Sequence, residues 1–231
     1  VITAEDIGKL PDVSIAESLA RLPGVTAQRL DGRSQAISIR GLGPDFTTAL
    51  LNGREQVTTG DNRGVEFDQY PSELLSGVTV YKTPDAQLIG QGLGGTVDLQ
   101  TIRPLAYGRQ AIALNFRYEQ NDIGALNSGT TDNGNRYSIS FIDQFADDTI
   151  GVAFGYAHIS SPYQSERFNS WGYPNATPDA LVIGGVKPYV MSSELERDGF
   201  MGVVEWRPND RFHSTVDAFY SEFQNTQVLR G

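Results

Sequence analysis

The chain of 231 residues has no cysteine and a formal net charge of −10 at neutral pH. The missing cysteines exclude disulfides, thiolate metal sites and a cysteine nucleophile. The acidic balance argues against nucleic-acid binding, which needs clustered Lys and Arg. No apolar run approaches the roughly 20 residues of a membrane-spanning helix, and the mean hydropathy is −0.31. Neither the length of apolar runs nor the mean hydropathy detects transmembrane β-strands, because only alternate residues of such strands face lipid. A soluble β-rich protein and an outer-membrane protein therefore both remain possible.

The first half of the chain, to about Pro104, predicts a mixed α+β domain. Ser14 to Glu17 has the pattern of a capping box, in which the Ser hydroxyl accepts a helix amide and the Glu reaches back. The helix that follows is expected to end at Pro23-Gly24. An alternating segment, residues 35–40, then predicts a short strand.

The next part of this domain carries turn signals between further strands. Asn52-Gly53 separates two alternating segments and predicts a hairpin, because both residue types tolerate positive φ. Pro71 is expected to open a short helix that Gly77 ends. Residues 78–81 then predict another strand.

From Arg109 onward the periodicity becomes that of longer alternating strands. One face of each is apolar or aromatic and the other is small or polar. In a soluble sandwich the apolar face forms the core, whereas in a membrane barrel it faces lipid and the other face lines the lumen. The five predicted strands cover residues 112–118, 137–141, 150–156, 199–206 and 212–223.

The connections between these strands favour the barrel. Short turns at 146–148 and 208–210 alternate with long loops at 121–135 and 160–198. Outer-membrane barrels combine short periplasmic turns with long external loops, an alternation that a Greek-key sandwich does not require. Aromatic residues near both ends of the strands are expected to form interfacial girdles: Phe145, Trp206 and Phe212 at one end, and Tyr118, Tyr156, Phe200 and Tyr220 at the other.

A glycine-rich segment, residues 90–95, contains a formal G-x-G-x-x-G pattern. A dinucleotide site needs that loop to open a helix, but here it leads into an alternating segment over 96–101 that predicts a strand. We therefore interpret the glycines as allowing a tight turn and close backbone approach, and we expect no nucleotide cofactor.

The titratable residues do not suggest catalysis. His158 and His213 lie in separate strands with no carboxylate at metal-ligand spacing, so both are interpreted as structural and no metal site is expected. Asp147-Asp148 and residues 132–135 are interpreted as turns. Because no acid–base constellation is visible, we do not expect an enzyme.

Five segments together resemble the plug domain of TonB-dependent outer-membrane receptors. They are the opening (1–7, with 16–25), Ile39-Arg40-Gly41, Leu51-Asn52-Gly53-Arg54, the 78–82 strand and the 94–104 exit segment. The resemblance implies an α+β plug domain over 1–104, followed over 105–231 by about five strands of an antiparallel transmembrane β-barrel. Plugged transporters have about 22 strands, so we expect an open sheet, an incomplete barrel. Residues 41–46 and 81–84 most resemble the carbohydrate-associated proteobacterial subfamily.

The resemblance also implies a location and partners. The receptor is expected in the bacterial outer membrane, in contact with its lipid, and energised by TonB with its inner-membrane complex. The TonB-binding box is expected upstream of Val1. Arg40 matches the plug arginine that pairs with barrel-wall glutamates, and Lys82 stands at the second arginine position of this charge lock, without the bidentate fork of an arginine.

Ligand contacts are expected from the segment after the hairpin, which lies apically in such plugs, and from the long external loop. The candidates are Arg54, Gln56, Asn62, Arg63, Phe67 and Asp68 in the plug, and Trp171 and Tyr173 in the loop. An acidic chain with planar polar and aromatic side chains favours an oligosaccharide as cargo. A ferric siderophore or other metal chelate is the alternative, and a secreted β-rich carbohydrate-binding module such as a lectin is the rival from another class.

Overall fold

The computed structural model describes residues 2–3, 14–30, 33–58, 60–83, 85–88 and 92–231, with Ile2–Thr3 described as backbone only. Most of the opening motif at 1–7, together with Pro84, Gly90 and Gln91, lies outside these residues. The elements in chain order are β1 (Ile2–Thr3), α1 (Ile15–Leu19), β2 (Val25–Leu30), β3 (Arg33–Ile39), β4 (Thr47–Leu51), β5 (Arg54–Glu55), β6 (Leu75–Tyr81), β7 (Gly95–Thr101), α2 (Pro104–Tyr107), β8 (Ala111–Gln120), β9 (Asn133–Phe145), β10 (Ile150–Trp171), β11 (Asn175–Thr177), β12 (Ala180–Leu181), β13 (Gly185–Asn209) and β14 (Phe212–Arg230).

The predicted plug domain over 1–104, called the plug below, contains a five-stranded sheet in the order β1-β6-β7-β4-β5. β4 and β7 are parallel, and the other pairs are antiparallel. The predicted hairpin is present between β4 and β5: Asn52 and Gly53 have φ of 51° and 77°, the combination that a tight two-residue turn requires.

Helix α1 and the antiparallel pair β2–β3 complete the plug. The hydroxyl of Ser14 accepts the amide of Glu17 at 3.3 Å, as expected of the N-cap. The Glu17 carboxylate pairs with Arg29 on β2. This ion pair replaces the contact of Glu17 with the start of the helix that the capping box predicted. The helix ends at Leu19, before Pro23-Gly24.

One buried apolar cluster joins these plug elements. Because α1, β3 and the sheet contribute residues to it, burial of this shared surface is the main stabilising contribution to the plug. Its largest fully buried members are Ile15, Leu19, Ile37, Ile39, Phe67, Val78, Val97 and Leu99.

The segment after the hairpin differs in one detail from the sequence prediction. The expected helix from Pro71 is a single 3-10 turn over Ser72–Leu74. Gly77 does not end it but lies inside β6, where the pairing with β7 shifts register. Among the described residues, no helix is long and apolar enough to cross a membrane.

A second five-stranded sheet has the order β14-β13-β10-β9-β8. The five strands lie side by side in chain order, with only β11 and β12 between β10 and β13 in the sequence. β8 and β14 lie at opposite edges, which confirms the expected open sheet. The strands are longer than predicted, because β10 continues to Trp171 and β13 starts at Gly185. The expected 160–198 loop is thus mostly strand, and the expected turn at 132–135 is wrong since β9 already begins at Asn133.

The residues cluster into two compact units. The first contains Val1–Asn115, Tyr137–His158 and Arg197–Glu222, and therefore holds the plug together with parts of the long strands. Within it β10 alternates as predicted: Gly151, Ala153, Gly155 and Ala157 are buried, whereas Phe154 is exposed.

The second unit contains Phe116–Arg136, Ile159–Glu196 and Phe223–Gly231. Asn127 is buried in the connection before β9 and donates to the hydroxyl of Ser192 at 2.9 Å. Gln164 accepts from Ser192 and from the amide of Leu126. These hydrogen bonds hold the 121–132 connection against β10 and β13.

Candidate functional site

The plug has a cleft of about 630 Å³ between its loops. We call it the plug cleft. Its lining is mixed, because apolar and aromatic side chains alternate with amides, hydroxyls and charged groups. Such a composition suits a small molecule that offers both flat apolar surface and polar groups. The lining residues are Asp45, Phe46, Thr47, Thr48, Ala49, Glu55, Gln56, Val57, Thr58, Asn62, Arg63, Val65, Gly92 and Leu93.

Hydrogen bonds within the plug position the loops of the cleft. Oδ1 of Asp45 accepts the backbone amides of Arg63 at 3.1 Å and Gly64 at 3.2 Å. The hydroxyl of Thr58 donates to the carboxylate of Glu66 at 2.9 Å. Asp45 therefore lines the cleft and also fixes the backbone of the loop at residues 63 and 64.

Tyr70 holds one residue of the cleft lining, Gln56, in place. Its hydroxyl donates to Oε1 of Gln56 at 3.0 Å. Burial, with a smaller contribution from Glu66, raises the pKa of Tyr70 to about 12. The phenol therefore stays protonated across the physiological range and keeps the Gln56 amide in a fixed orientation.

Glycines bring the 92–95 loop against neighbouring backbone. A Cβ on Gly92 would lie 2.8 Å from the amide nitrogen of Thr48 and closer still to the carbonyl oxygen of Phe46. Gly94 donates its amide to that carbonyl at 2.8 Å, and Gly95 has φ of 152°. The loop enters strand β7 rather than a helix, which confirms the close-approach interpretation of the glycines.

The predicted ligand residues of the plug fall into three groups. Gln56, Asn62 and Arg63 line the plug cleft. Phe67 and Asp68 are only 1% and 3% exposed, so the expectation that they face a ligand is corrected: a 3-10 turn over Phe67–Gln69 directs both into the interior.

Arg54 forms the third group. Its guanidinium pairs with Asp217 of β14, and Arg54 does not line the plug cleft. On this strand the lining of the cleft begins at Glu55, one residue after Arg54. A ligand role for Arg54 stays a prediction.

Trp171 and Tyr173 lie in the second unit, at and just after the end of β10. Both are about half exposed. The hydroxyls of Ser170 and Tyr173 are 2.7 Å apart, and Nζ of Lys187 stands 5.8 Å from the ring centroid of Trp171. A cation at this distance interacts favourably with the ring face, so one face of Trp171 is already in contact with Lys187.

The expected charge lock stays a prediction. Arg40 follows β3 in a turn with φ of 56° and is exposed. Lys82 donates from Nζ to the backbone carbonyl of Pro23, a contact within the plug that links the end of β6 to the segment after α1.

The structure reveals a plug contact that the sequence did not indicate. Asp217 accepts from the side chain of Asn52 at 3.0 Å and lies 3.9 Å from the guanidinium of Arg103. Asp98 of β7 accepts the amide of Gly53 at 3.0 Å. One signal in the sequence could have indicated this contact. Asp217 lies on the small, polar face of a predicted strand, and a carboxylate that becomes buried there needs a partner.

The structure gives each of the two histidines a partner. His158 Nδ1 lies 2.9 Å from Oδ1 of Asp198, and His213 Nε2 lies 3.2 Å from Oε1 of Glu205. Each therefore has a carboxylate neighbour on an adjacent strand, which sequence spacing could not show. In the part of the chain that the structure describes, no three His, Asp or Glu side chains are grouped to hold a metal.

Comparison with known proteins shows what the first part of the chain is similar to. Residues 1–97 match the family described as TonB-dependent Receptor Plug Domain. The chain is 36% identical over 123 residues to the ferric enterobactin receptor PirA of Pseudomonas aeruginosa, and 36% over 120 residues to the probable TonB-dependent siderophore receptor PirA of Acinetobacter baumannii. These segments cover 45% and 44% of this chain but only 16% of each relative.

Solved structures agree on the fold. A mutant of the ferric enterobactin receptor PfeA from Pseudomonas aeruginosa, in complex with enterobactin, has a TM-score of 0.66 at 18% identity and covers 97% of this chain and 33% of its own. The outer membrane transporter YddB from Escherichia coli has a TM-score of 0.55 at 18% identity, covering 99% and 36%. The chain thus spans about a third of these structures.

Residues 1–97 are thus similar to the plug domain of TonB-dependent receptors, and an α+β domain followed by antiparallel strands is the fold that the chain shares with the solved structures named above. Both curated relatives named above are siderophore receptors by name. The expected carbohydrate-associated subfamily finds no support in these matches.

Proposed function

We propose that the receptor imports a ferric siderophore across the outer membrane in a TonB-dependent step. The observation that carries the proposal is the 36% identity to two siderophore receptors. The oligosaccharide that composition favoured is replaced as cargo by the alternative, a ferric chelate. Net charge was a poor guide because a binding site responds to local groups rather than to the total.

The plug cleft supplies the proposed contact for the chelate. Arg63 offers a permanent cation with several donors, and Asn62 and Gln56 offer planar amides. Phe46 and Leu93 add exposed apolar surface. A siderophore combines flat organic groups with a charged iron centre, so cation, amides and apolar surface each have a counterpart on it.

TonB and its energising complex are the proposed partners. Ligand in the plug cleft contacts the loop that follows β5 and the loop that precedes β7, and β1 near the start of the chain pairs with β6 of the same sheet. A force applied at the beginning of the chain would therefore reach the sheet that carries the cleft. No covalent chemistry is needed for this step.

A binding titration tests the cargo. Purified receptor would be titrated with ferric enterobactin, with a hydroxamate ferric siderophore, and with malto- and xylo-oligosaccharides. We expect binding of a ferric chelate, weakened about tenfold to a hundredfold by Arg63→Ala or Asn62→Ala, since one lost charge-assisted contact costs about 1.5–3 kcal/mol. Arg211→Ala, in the exposed turn after β13, is the matched control. Heat from an oligosaccharide alone would overturn the ferric assignment.

A further inference from the structure

The plug segment 68–74, which we call the seam, contacts the long strands through its own main chain. The guanidinium of Arg197 on β13 donates to the backbone carbonyl of Asp68. The hydroxyl of Ser221 on β14 donates to the next carbonyl, that of Gln69, at 2.7 Å. Because both acceptors are main-chain oxygens, these bonds fix the path of the backbone and not only the side chains.

Close packing continues along the next residues of the seam. The ring of Tyr70 lies 5.9 Å, centroid to centroid, from Phe219 on β14. A Cβ on Gly199 would meet the ring of Pro71, with its Cδ at 3.3 Å and its Cγ closer, and a Cβ on Gly155 would lie 2.7 Å from Leu74. A side chain at position 199 would push against the ring of Pro71, which cannot rotate away, whereas a side chain at position 155 would require the Leu74 side chain to move.

Burial of charge adds to the attachment. Asp68 is 3% exposed, and neither of its carboxylate oxygens accepts a hydrogen bond from a described residue. Burial raises the pKa of this carboxyl, and the smaller, opposite effects of Arg33 on β3 and Arg197 on β13 lower it. The carboxylate therefore lies in the field of one plug arginine and one strand arginine.

The loops of the plug cleft are held in a different way. The contacts of Asp45 with the amides of Arg63 and Gly64, and of Thr58 with Glu66, join one plug loop to another. They can be rearranged without separating the plug from the strands. The seam, by contrast, is made of plug-to-strand contacts over consecutive residues.

We propose that the seam is the fixed attachment of the plug to the strands and stays closed while the cleft loops rearrange during transport. The part of this statement that concerns transport rests on the proposed function. Passage of the cargo is then confined to the plug surface away from the seam.

An engineered disulfide tests whether the seam opens. The chain has no cysteine, so the pair Pro71→Cys and Gly199→Cys can cross-link without competing thiols. Pro71→Cys removes the ring atoms that a Cβ at position 199 would meet, and the closeness of the two positions suits a disulfide. Uptake of ferric enterobactin would be compared in oxidised and reduced cells, with the Pro71→Cys single variant as control. We expect equal uptake. Uptake lost on oxidation and recovered on reduction would overturn the proposal.

Hydrogen exchange of the ligand-free wild-type receptor separates this proposal from the proposed function. The amides of Gln69, Tyr70 and Leu74 donate to the carbonyls of Glu66, Phe67 and Pro71 and should exchange more slowly than those of residues 60–66. Arg197→Ala with Ser221→Ala should remove that difference, whereas Arg211→Ala should not. Equal exchange of the two segments in the wild type would overturn the fixed seam, even if no ferric chelate is imported.

Discussion

The side-chain amide of Asn52 donates to Oδ1 of Asp217 at 3.0 Å, joining the plug hairpin to strand β14. The same residue adopts φ of 51° to make the turn, and its side-chain oxygen accepts the amide of Thr101 at 3.0 Å. Asn52 therefore forms the turn, links the hairpin to β7 and, through Asp217, attaches the hairpin to β14. We call this contact between Asn52 and Asp217 the anchor. A glycine there would form the turn but lose both side-chain contacts.

The anchor should weaken when Asp217 is replaced by Ala. The change removes the acceptor of Asn52 and the carboxylate beside Arg54 and Arg103, at a cost of about 1–3 kcal/mol for groups left without a partner. Hydrogen exchange at the Asn52 and Gln56 amides, which bond to Leu99 and Ala49, should accelerate about tenfold or more. Asp210→Ala, in an exposed turn, is the control, and unchanged exchange in Asp217→Ala would refute the anchor.

A methyl group at position 92 should displace the glycine loop. Gly92→Ala places Cβ against the backbone of Phe46 and Thr48, and main-chain atoms cannot rotate away, so a cost of about 1–3 kcal/mol is expected. Loss of protection at the Gly94 amide, which bonds to Phe46, reports the displacement. Gly43→Ala is a matched control because nothing lies within 4 Å of its Cβ position. Similar protection in both variants would contradict the steric explanation.

The stability of the plug should depend on pH through Asp68. Burial raises the pKa of its carboxyl above the ordinary value of 3.8 in spite of Arg33 and Arg197. A carboxyl with a raised folded pKa contributes stability below its unfolded pKa, and this contribution is lost as pH rises through the folded pKa. Asp68→Asn, which mimics the neutral form, should therefore be more stable than wild type at pH 8, with the difference shrinking toward pH 4.

Urea unfolding of the plug at several pH values measures this effect. Asp147→Asn, at an exposed turn position, should show a smaller difference because its carboxyl is solvated in both states. A lower urea midpoint for Asp68→Asn than for wild type at pH 8 would show that attraction to the two arginines outweighs burial.

Strand orientation can be tested by labelling intact cells. The short turns at Asp147 and Asn209 are expected to face the periplasm, and Trp171 the outside, because external connections are the long ones. Trp171→Cys should react with a membrane-impermeant maleimide, and Asp147→Cys should react only after permeabilisation. Labelling of Asp147→Cys alone in intact cells would reverse the topology.

Interactions between residues that are close in the sequence explain which parts of the structure could be predicted. The Asn52-Gly53 turn, the alternation in β10 and the entry of the glycine loop into β7 each depend on neighbouring residues, so their patterns were sufficient. The plug fold and the open five-stranded sheet followed from such patterns together with the motif resemblance. Three of the plug ligand candidates, Gln56, Asn62 and Arg63, also line one cleft.

The rest depended on contacts between distant residues. Asn52 and Asp217 are 165 positions apart, and Asp68 meets Arg197 only after the strands have assembled. Phe67 and Asp68 looked like exposed loop residues because the 3-10 turn that buries them has no clear sequence signal. The length of β10 and β13 was underestimated since their outer parts contain polar residues on both faces, which resembles a loop in one dimension.

The most direct test of TonB-dependent transport is energised uptake. Cells that express the receptor from its complete gene would be given radiolabelled ferric enterobactin, with a strain lacking TonB and an uncoupler-treated culture compared in parallel. The account predicts accumulation only in energised cells with TonB, and surface binding without accumulation in the others. Equal accumulation with and without TonB would contradict it.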